Sequence, residues 1–369
     1  MVYKHIVVPG GGPHGFTDSG IILYCLKNNI IDLNHIESIH GTSAGGIMAL
    51  LLCMQNESTI YEDYIVNCMM DKLFYVDPDN LVNIFQCKGL INANCFYEYL
   101  KPFFDSNNID VNITLKDFYN ITKKHLYLYA TRARDLTVAI LSHHNFPNMK
   151  LLDALGASCA IPGIFPPVVY ENELYIDGGI MSNYPLEECL SDDSVIPEEV
   201  FGVRHEYPPP EGVIDLNNFN IFDMAFYLVC CTTDKLLVAS YNEKCTPAIK
   251  EKLTRVHEVI HKVSTYLLTA NDLLDIIKSK EMRRTGIENG YKLAKEHFAN
   301  LLKEEKVETF VSEATQVSEA THVSEATQVS EATNVSEATH VSEATHVSEA
   351  TKVSEATHVS EANKLKCTI

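Results

Sequence analysis

Within its first 54 residues the chain twice runs an apolar strand into a glycine-bearing turn and straight on into a helix. Lys4–Pro9 alternates into an apolar strand, ends in Gly10-Gly11-Gly12, and is followed by a helical pattern over Thr17–Asn29. Ile36–His40 is a second short strand, stopped by Gly41, and the strongly apolar Ala44–Met54 reads as its helix. Strands joined through a helix pair in parallel, because the crossover returns the chain to the same end of the sheet. The alternation continues. Helical patterns cover Thr59–Met70 and Ala93–Phe104. His125–Thr131 and Val138–Leu141, rich in aromatic and β-branched residues, read as strands. Lys150–Ala160 reads as a helix stopped by Pro162, Leu174–Ile176 and Val200–Val203 as strands, and Phe219 to Lys303 as almost entirely helical. This order predicts an α/β fold: three layers, a mainly parallel central sheet covered on both faces, and a helical C-terminal portion.

The foldable part ends before a repeat. From Val311 the sequence Val-Ser-Glu-Ala-Thr-x occurs eight times, then once more as Val359-Ser-Glu-Ala-Asn363. At about 100° per helical residue, a period of six turns each successive Val to a different side, so no single apolar face forms. A strand would gather Val, Glu and Thr on one face. A hexapeptide β-helix would also repeat Val every six residues, but the glycines that usually make its tight turns are missing. One Val and one Ala per repeat leave too little apolar area to offset the ordering entropy. Residues 306–369 are therefore expected to be a low-complexity, disordered tail. Residues 1–305 are expected to be one domain, with the motifs in 4–205 and a helical extension over 206–305.

Charge narrows the partners. The formal net charge is −20, of which nine Glu and three Lys in residues 311–369 supply −6, leaving −14 for the rest. A surface this acidic repels a phosphate backbone, and no Lys/Arg cluster offsets it, which excludes nucleic acid as the expected partner. Contact with a lipid surface would rest on apolar side chains. The eleven Cys are scattered singly apart from Cys230–Cys231, with no Cys-x-x-Cys pair, as expected of reduced, buried thiols in a cytoplasmic protein. No basic and apolar leader precedes the first strand, and no run of 18 apolar residues occurs. The most apolar helix-length run, Phe222–Cys231, is expected in the core, with an interfacial, peripheral-membrane role open to it.

Three segments carry chemistry. Gly41-Thr42-Ser43-Ala44-Gly45 is a G-x-S-x-G sequence set between a strand and a helix, the context in which a sharp turn lifts a Ser hydroxyl out as a nucleophile. Glycines at 41 and 45 let that turn pack tightly, and the helix N-terminus favours negative charge developing beside Ser43. The plain alternative is an N-cap Ser followed by small packing residues. Gly10-Gly11-Gly12-Pro13-His14-Gly15 can offer backbone N–H groups to an oxyanion. Its spacing also fits the dinucleotide motif G-x-G-x-x-G, but the second strand ends at His40 and the Ser43 turn instead of at the acidic residue that motif requires. Asp177-Gly178-Gly179 places a carboxylate at a strand end, where it can serve either as a base or simply as a turn former.

In this order, these segments resemble the patatin-like phospholipase family. The Gly-rich loop at 10–15, the elbow at 41–45 and Asp177-Gly178-Gly179 all have counterparts there. So do Ala157-Ser158-Cys159-Ala160-Ile161-Pro162-Gly163-Ile164-Phe165-Pro166-Pro167 and the strand end Ala130-Thr131-Arg132. The likeness covers about residues 4–205. It implies a patatin-like three-layer fold and hydrolysis of lipid acyl esters by a Ser43–Asp177 dyad without a catalytic His. Gly10, Gly11, Gly12 and Gly15 would form the oxyanion hole, and His14, Gly41, Gly45, Gly178 and Gly179 would support the motifs. It implies no metal or organic cofactor, and a lipid substrate at a membrane or micelle surface. His14 departs from the pattern, since the family usually has Arg or Lys there.

Two rival signals remain. His257-Glu258-Val259-Ile260-His261 matches H-E-x-x-H, which on a helix would place both His on one face around zinc, with Glu258 as base and Glu281 as a third ligand. His205 or His257 could also complete a Ser-Asp-His triad. A non-catalytic lipid-binding or storage protein is the remaining alternative.

Overall fold

The structure is a computed structural model and describes residues 2–74, 88–92, 94–206, 236, 245–263 and 275–303. Its sheet has eight strands: β1 (His5–Val8), β2 (Ser38–Thr42), β3 (His125–Arg132), β4 (Thr137–Leu141), β5 (Val168–Tyr170), β6 (Glu173–Asp177), β7 (Val200–Glu206) and β8 (His257–Lys262). The order is β5-β6-β3-β2-β1-β7-β8, with β4 also paired to β3. Pairings from β3 through β2, β1 and β7 to β8 are parallel, and those of β3 with β4, β3 with β6 and β5 with β6 are antiparallel. The protein is thus an α/β fold built on a mainly parallel, mixed sheet, as the sequence predicts.

Strand alternation assigns the two faces. On β1, Ile6 and Val8 enter the main core with residues of α1 (Gly15–Lys27) and α2 (Ala44–Cys53). Val7 points the other way, into a second cluster with Leu186, Cys189 and Leu190. Both faces are therefore covered, which makes three layers. Helices over Asn94–Ser106 and Leu151–Ser158 add to the main core.

One register detail creates the site. The first half of β3 pairs with β2 as far as Thr42↔Tyr129. The second half pairs with β6 from Asp177↔Ala130. Strand β4 runs alongside both halves, from Leu128↔Leu141 to Arg132↔Thr137, so it must occupy the opposite edge. Strands β2 and β6 therefore meet end to end on one edge of β3. Ser43, just past β2, is brought against Asp177, the last residue of β6.

The sequence reading departs from the structure at several elements. Strand β5 and the helices Leu115–Thr122 and Leu186–Leu190 are not among those it expects. Residues 257–262, expected as helix, form β8, parallel to β7 with Gly202↔Glu258 and His205↔His261. The period there is two: Val259 and His261 are buried while Ile260 and Lys262 are exposed. Histidine at inward positions hides that alternation. The remaining helical expectation holds over 247–253, 275–278 and 280–303. The repeat tail and the apolar run Phe222–Cys231 lie outside the described residues. Among the described residues, no helix is long and apolar enough to cross a membrane.

Candidate active site

Ser43 sits on the turn between β2 and α2 with φ 51° and ψ −121°. A non-glycine residue with this φ is in a sparsely populated region, which costs on the order of 1–3 kcal/mol and is characteristic of functional turns. The neighbouring glycines make the turn possible. A Cβ on Gly45 would lie 2.4 Å from the Val8 carbonyl oxygen, and one on Gly41 would lie 2.4 Å from that of Gly45. Three backbones thus touch under the nucleophile. The Ser43 N–H donates to Ser158 Oγ at 2.9 Å, and Thr42 Oγ1 donates to the Ser182 carbonyl at 2.8 Å, tying the turn to its surroundings.

Ser43 Oγ donates a hydrogen bond of 2.7 Å to Asp177 Oδ2. The other carboxylate oxygen, Oδ1, accepts the Gly179 N–H at 2.7 Å. The aspartate is also held through its backbone: its N–H donates to the Ala160 carbonyl, and its carbonyl accepts from Thr131 Oγ1. Burial pushes the Asp177 carboxyl up to about 6, although the hydrogen bonds from Ser43 and Gly179 pull it down. That value suits a general base working near neutral pH, whereas an ordinary Asp is too weak a base.

The glycine loop lies against the elbow. Asn183 fastens it from both sides, accepting the Gly10 N–H on its carbonyl at 2.8 Å and donating Nδ2 to the Gly10 carbonyl at 2.9 Å. Gly15 gives its N–H to the carbonyls of Gly12 and Pro13. Of the four glycines expected as oxyanion donors, Gly10 and Gly15 therefore have their N–H groups committed to the fold. Gly11 and Gly12 remain as the loop's candidate donors. Gly12, Ser43, Phe16, Ile47, Phe96 and Phe165 are among the residues lining a mostly apolar cavity of about 100 Å³.

Behind the loop lies a polar cluster that sequence reasoning did not find. Asp18 accepts from His205 Nε2 at 2.9 Å and from His261 Nδ1 at 2.8 Å, with all three residues buried. Burial alone would raise the Asp18 carboxyl, but His205 and His261 together outweigh it and hold the group below its ordinary value. A Cβ on Gly11 would lie 2.4 Å from His205 Cε1, so this cluster backs the loop directly. The His14 ring stands edge-on to both imidazoles. Burial, with His205 and His261 beside it, lowers His14 to about 4, so a neutral ring stands where the family usually has a cation.

Both rival readings fail on geometry. His257 and His261 lie four residues apart on one strand, about 13 Å, too far to share an ion. His257 Nδ1 bonds the Tyr3 hydroxyl instead, and Glu258 accepts from Tyr184. For a triad, His205 or His257 would have to stand beside Ser43 or Asp177, but His205 Nε2 meets Asp18, His257 Nδ1 meets Tyr3, and Ser43 Oγ donates directly to Asp177.

A family model described as patatin-like phospholipase matches residues 6–190, half of the chain. Probable lipid hydrolase 463L of Invertebrate iridescent virus 6 is 30% identical over 51% of this chain and 63% of its own length. Triacylglycerol lipase 4 of Saccharomyces cerevisiae is 21% identical over 74% of this chain and 30% of its own. The crystal structure of VipD from Legionella pneumophila superposes with a TM-score of 0.46 at 16% identity, over 81% of this chain and 67% of that one. The chain thus spans less than two thirds of the curated relatives named here.

Proposed function

The chain belongs to the patatin-like phospholipase family, and on that premise we propose that it hydrolyses lipid acyl esters through a Ser43–Asp177 dyad. The observation that carries this reading is the 2.7 Å hydrogen bond from the hydroxyl of a strained elbow serine to a buried carboxylate whose pKa is raised to about 6.

In this mechanism Asp177 Oδ2 takes the Ser43 proton as Oγ attacks the ester carbonyl carbon. The carbonyl oxygen becomes an oxyanion beside the N–H groups of Gly11 and Gly12 and the N-terminus of α2. Asp177 then returns its proton to the departing alcohol, leaving an acyl-Ser43 ester. Water attacks that ester with Asp177 again as base, releasing the fatty acid and restoring the hydroxyl. The apolar lining beside Ser43 favours an acyl chain over a polar leaving group. The cavity is well below the roughly 300–1,000 Å³ of pockets that enclose drug-sized ligands. It suits the reacting end of a chain whose remainder stays in a membrane or micelle. Phospholipids are the preferred substrates and neutral glycerolipids the nearest alternative. In this reading one domain ends near residue 305 and the repeats lie outside it. The protein acts in the cytoplasm or at membrane surfaces facing it.

The test is hydrolysis of a chromogenic short-chain ester, phospholipid vesicles and a triacylglycerol emulsion by the full chain, alongside Ser43→Ala and Asp177→Asn. Loss of more than ~10³-fold in both variants, with the wild type active, is expected. Full activity of Ser43→Ala would end the proposal.

A further inference from the structure

At the end of β3 remote from Ser43, three imidazoles converge. His125 opens β3 and pairs with Ser38, at the opposite end of the sheet from the elbow. His143 and His144 follow β4. Continuing the β3–β4 register beyond Leu128↔Leu141 brings residues 143 and 144 level with 126 and 125. The ligand nitrogens of His125, His143 and His144 all lie within 4.8 Å of one another. We propose that His125, His143 and His144 form a binding site for a zinc ion, separate from the catalytic dyad.

Three observations support this site. Ring centroids of His125 lie 5.0 Å from His143 and 5.5 Å from His144, and those of His143 and His144 lie 3.9 Å apart, so the three imidazoles form one cluster. His125 Nδ1 is buried without a hydrogen-bond partner among the described residues. Buried polar atoms are seldom left so, and an unpaired one calls for an ion or a water. His143 is fixed by Tyr119, whose ring stacks on it at 3.9 Å and 5°.

The donor set selects the ion. Three imidazole nitrogens without a carboxylate suit zinc and its neighbours, whereas magnesium and calcium require oxygen. Tetrahedral zinc with bonds of about 2.0–2.1 Å brings its ligand atoms to roughly 3.4 Å from one another. His144 is exposed and free to turn by that amount. Three protein ligands leave the fourth position open to water or to a partner's side chain. The Asp18–His205–His261 cluster is a weaker candidate, because its carboxylate is already satisfied by both rings at 2.8–3.0 Å.

The experiment titrates the full chain, stripped with EDTA, with cobalt(II) as a spectroscopic stand-in for zinc. The same titration is run on His144→Ala, on His143→Ala together with His144→Ala, and on His261→Ala. Wild type and His261→Ala should each take one equivalent with the intense visible band of a low-symmetry cobalt–imidazole site, displaced by zinc. The 143/144 variants should lose the band, and zinc affinity should fall by more than the ~10–100-fold that loss of an outer-sphere partner costs. Because His144 is exposed, its replacement leaves the fold intact, and unchanged ester hydrolysis serves as the check. The proposal is overturned if the wild type gives no band, if the band survives in the double variant, or if only His261→Ala removes it.

Discussion

At the level of single residues, the role proposed for Asp177 ties catalysis to stability. Its carboxyl ionises near 3.8 in an unfolded chain and near 6 in the fold. Between those pH values the folded protein holds a proton that the unfolded chain has lost. The contribution of this group to stability is therefore full below about pH 3.8 and is lost as pH rises through about 6. At pH 7 the buried charge costs about 3 kcal/mol. Asp177→Asn keeps the shape and the acceptor for Gly179 without the charge. It should abolish turnover yet raise stability at pH 7 by up to about 3 kcal/mol, read as a higher Tm, while at pH 4 the gain should nearly vanish. A variant destabilised at pH 7 would contradict this account of the burial. For the wild type, kcat/KM should climb with pH and level off above a midpoint near 6, because only ionised Asp177 can take the Ser43 proton. A flat profile from pH 5 to 8 would remove Asp177 as the base.

Among the elements, the helix over 280–303 packs Ile287 against Ile65 and Val66 of α3 (Ser58–Asn67), and a buried arginine ties the two together. Arg283 is 2% exposed and donates to the carbonyls of Ile65, Val66 and Cys68 at the end of α3, and to those of Ile277 and Lys278. Helix ends leave their last carbonyls unpaired, and a cation there also meets the negative end of the helix dipole. Arg283→Met should strand at least three carbonyls at about 1 kcal/mol or more each, lowering Tm by roughly 6–12 °C. Arg283→Lys should recover only part of this, since an ammonium lacks the fork needed to reach both sets of carbonyls. The same elements show what a sequence discloses. Strands β1 and β2 and the Gly41–Gly45 elbow were legible because apolar alternation and glycine punctuation are local signals. Strand β8 was not, because its inward positions hold His257 and His261, whose partners Tyr3 and Asp18 are more than two hundred residues away. Ser158 and Asn183, which pin the elbow and the glycine loop, carry no local signature either. Their roles arise only once β6 docks on β3. Gly10 and Gly15 were plausible donors by motif, and only the folded hydrogen-bond network assigns their N–H groups elsewhere.

For the molecule as a whole, a formal charge of −20 sets the terms on which it meets a lipid surface. Vesicles of anionic lipid repel it, so hydrolysis should be faster on zwitterionic vesicles at low ionic strength. The gap should narrow as salt is raised toward ~1 M, where the Debye length falls to about 3 Å. A faster rate on anionic vesicles at low salt would mean that a cationic face is concealed within the overall charge. The meeting of β2 and β6 on one edge of β3 also has a consequence for how the protein is made. Ser43 and Asp177 are 134 residues apart, so during synthesis the nucleophile emerges long before its base exists. On the proposed dyad, a ribosome-bound fragment that contains the elbow but not β6 lacks its proton acceptor and should be inert toward the membranes around it. Ester hydrolysis would then wait until β6 has zipped onto β3, so activity would report that the antiparallel arm has formed.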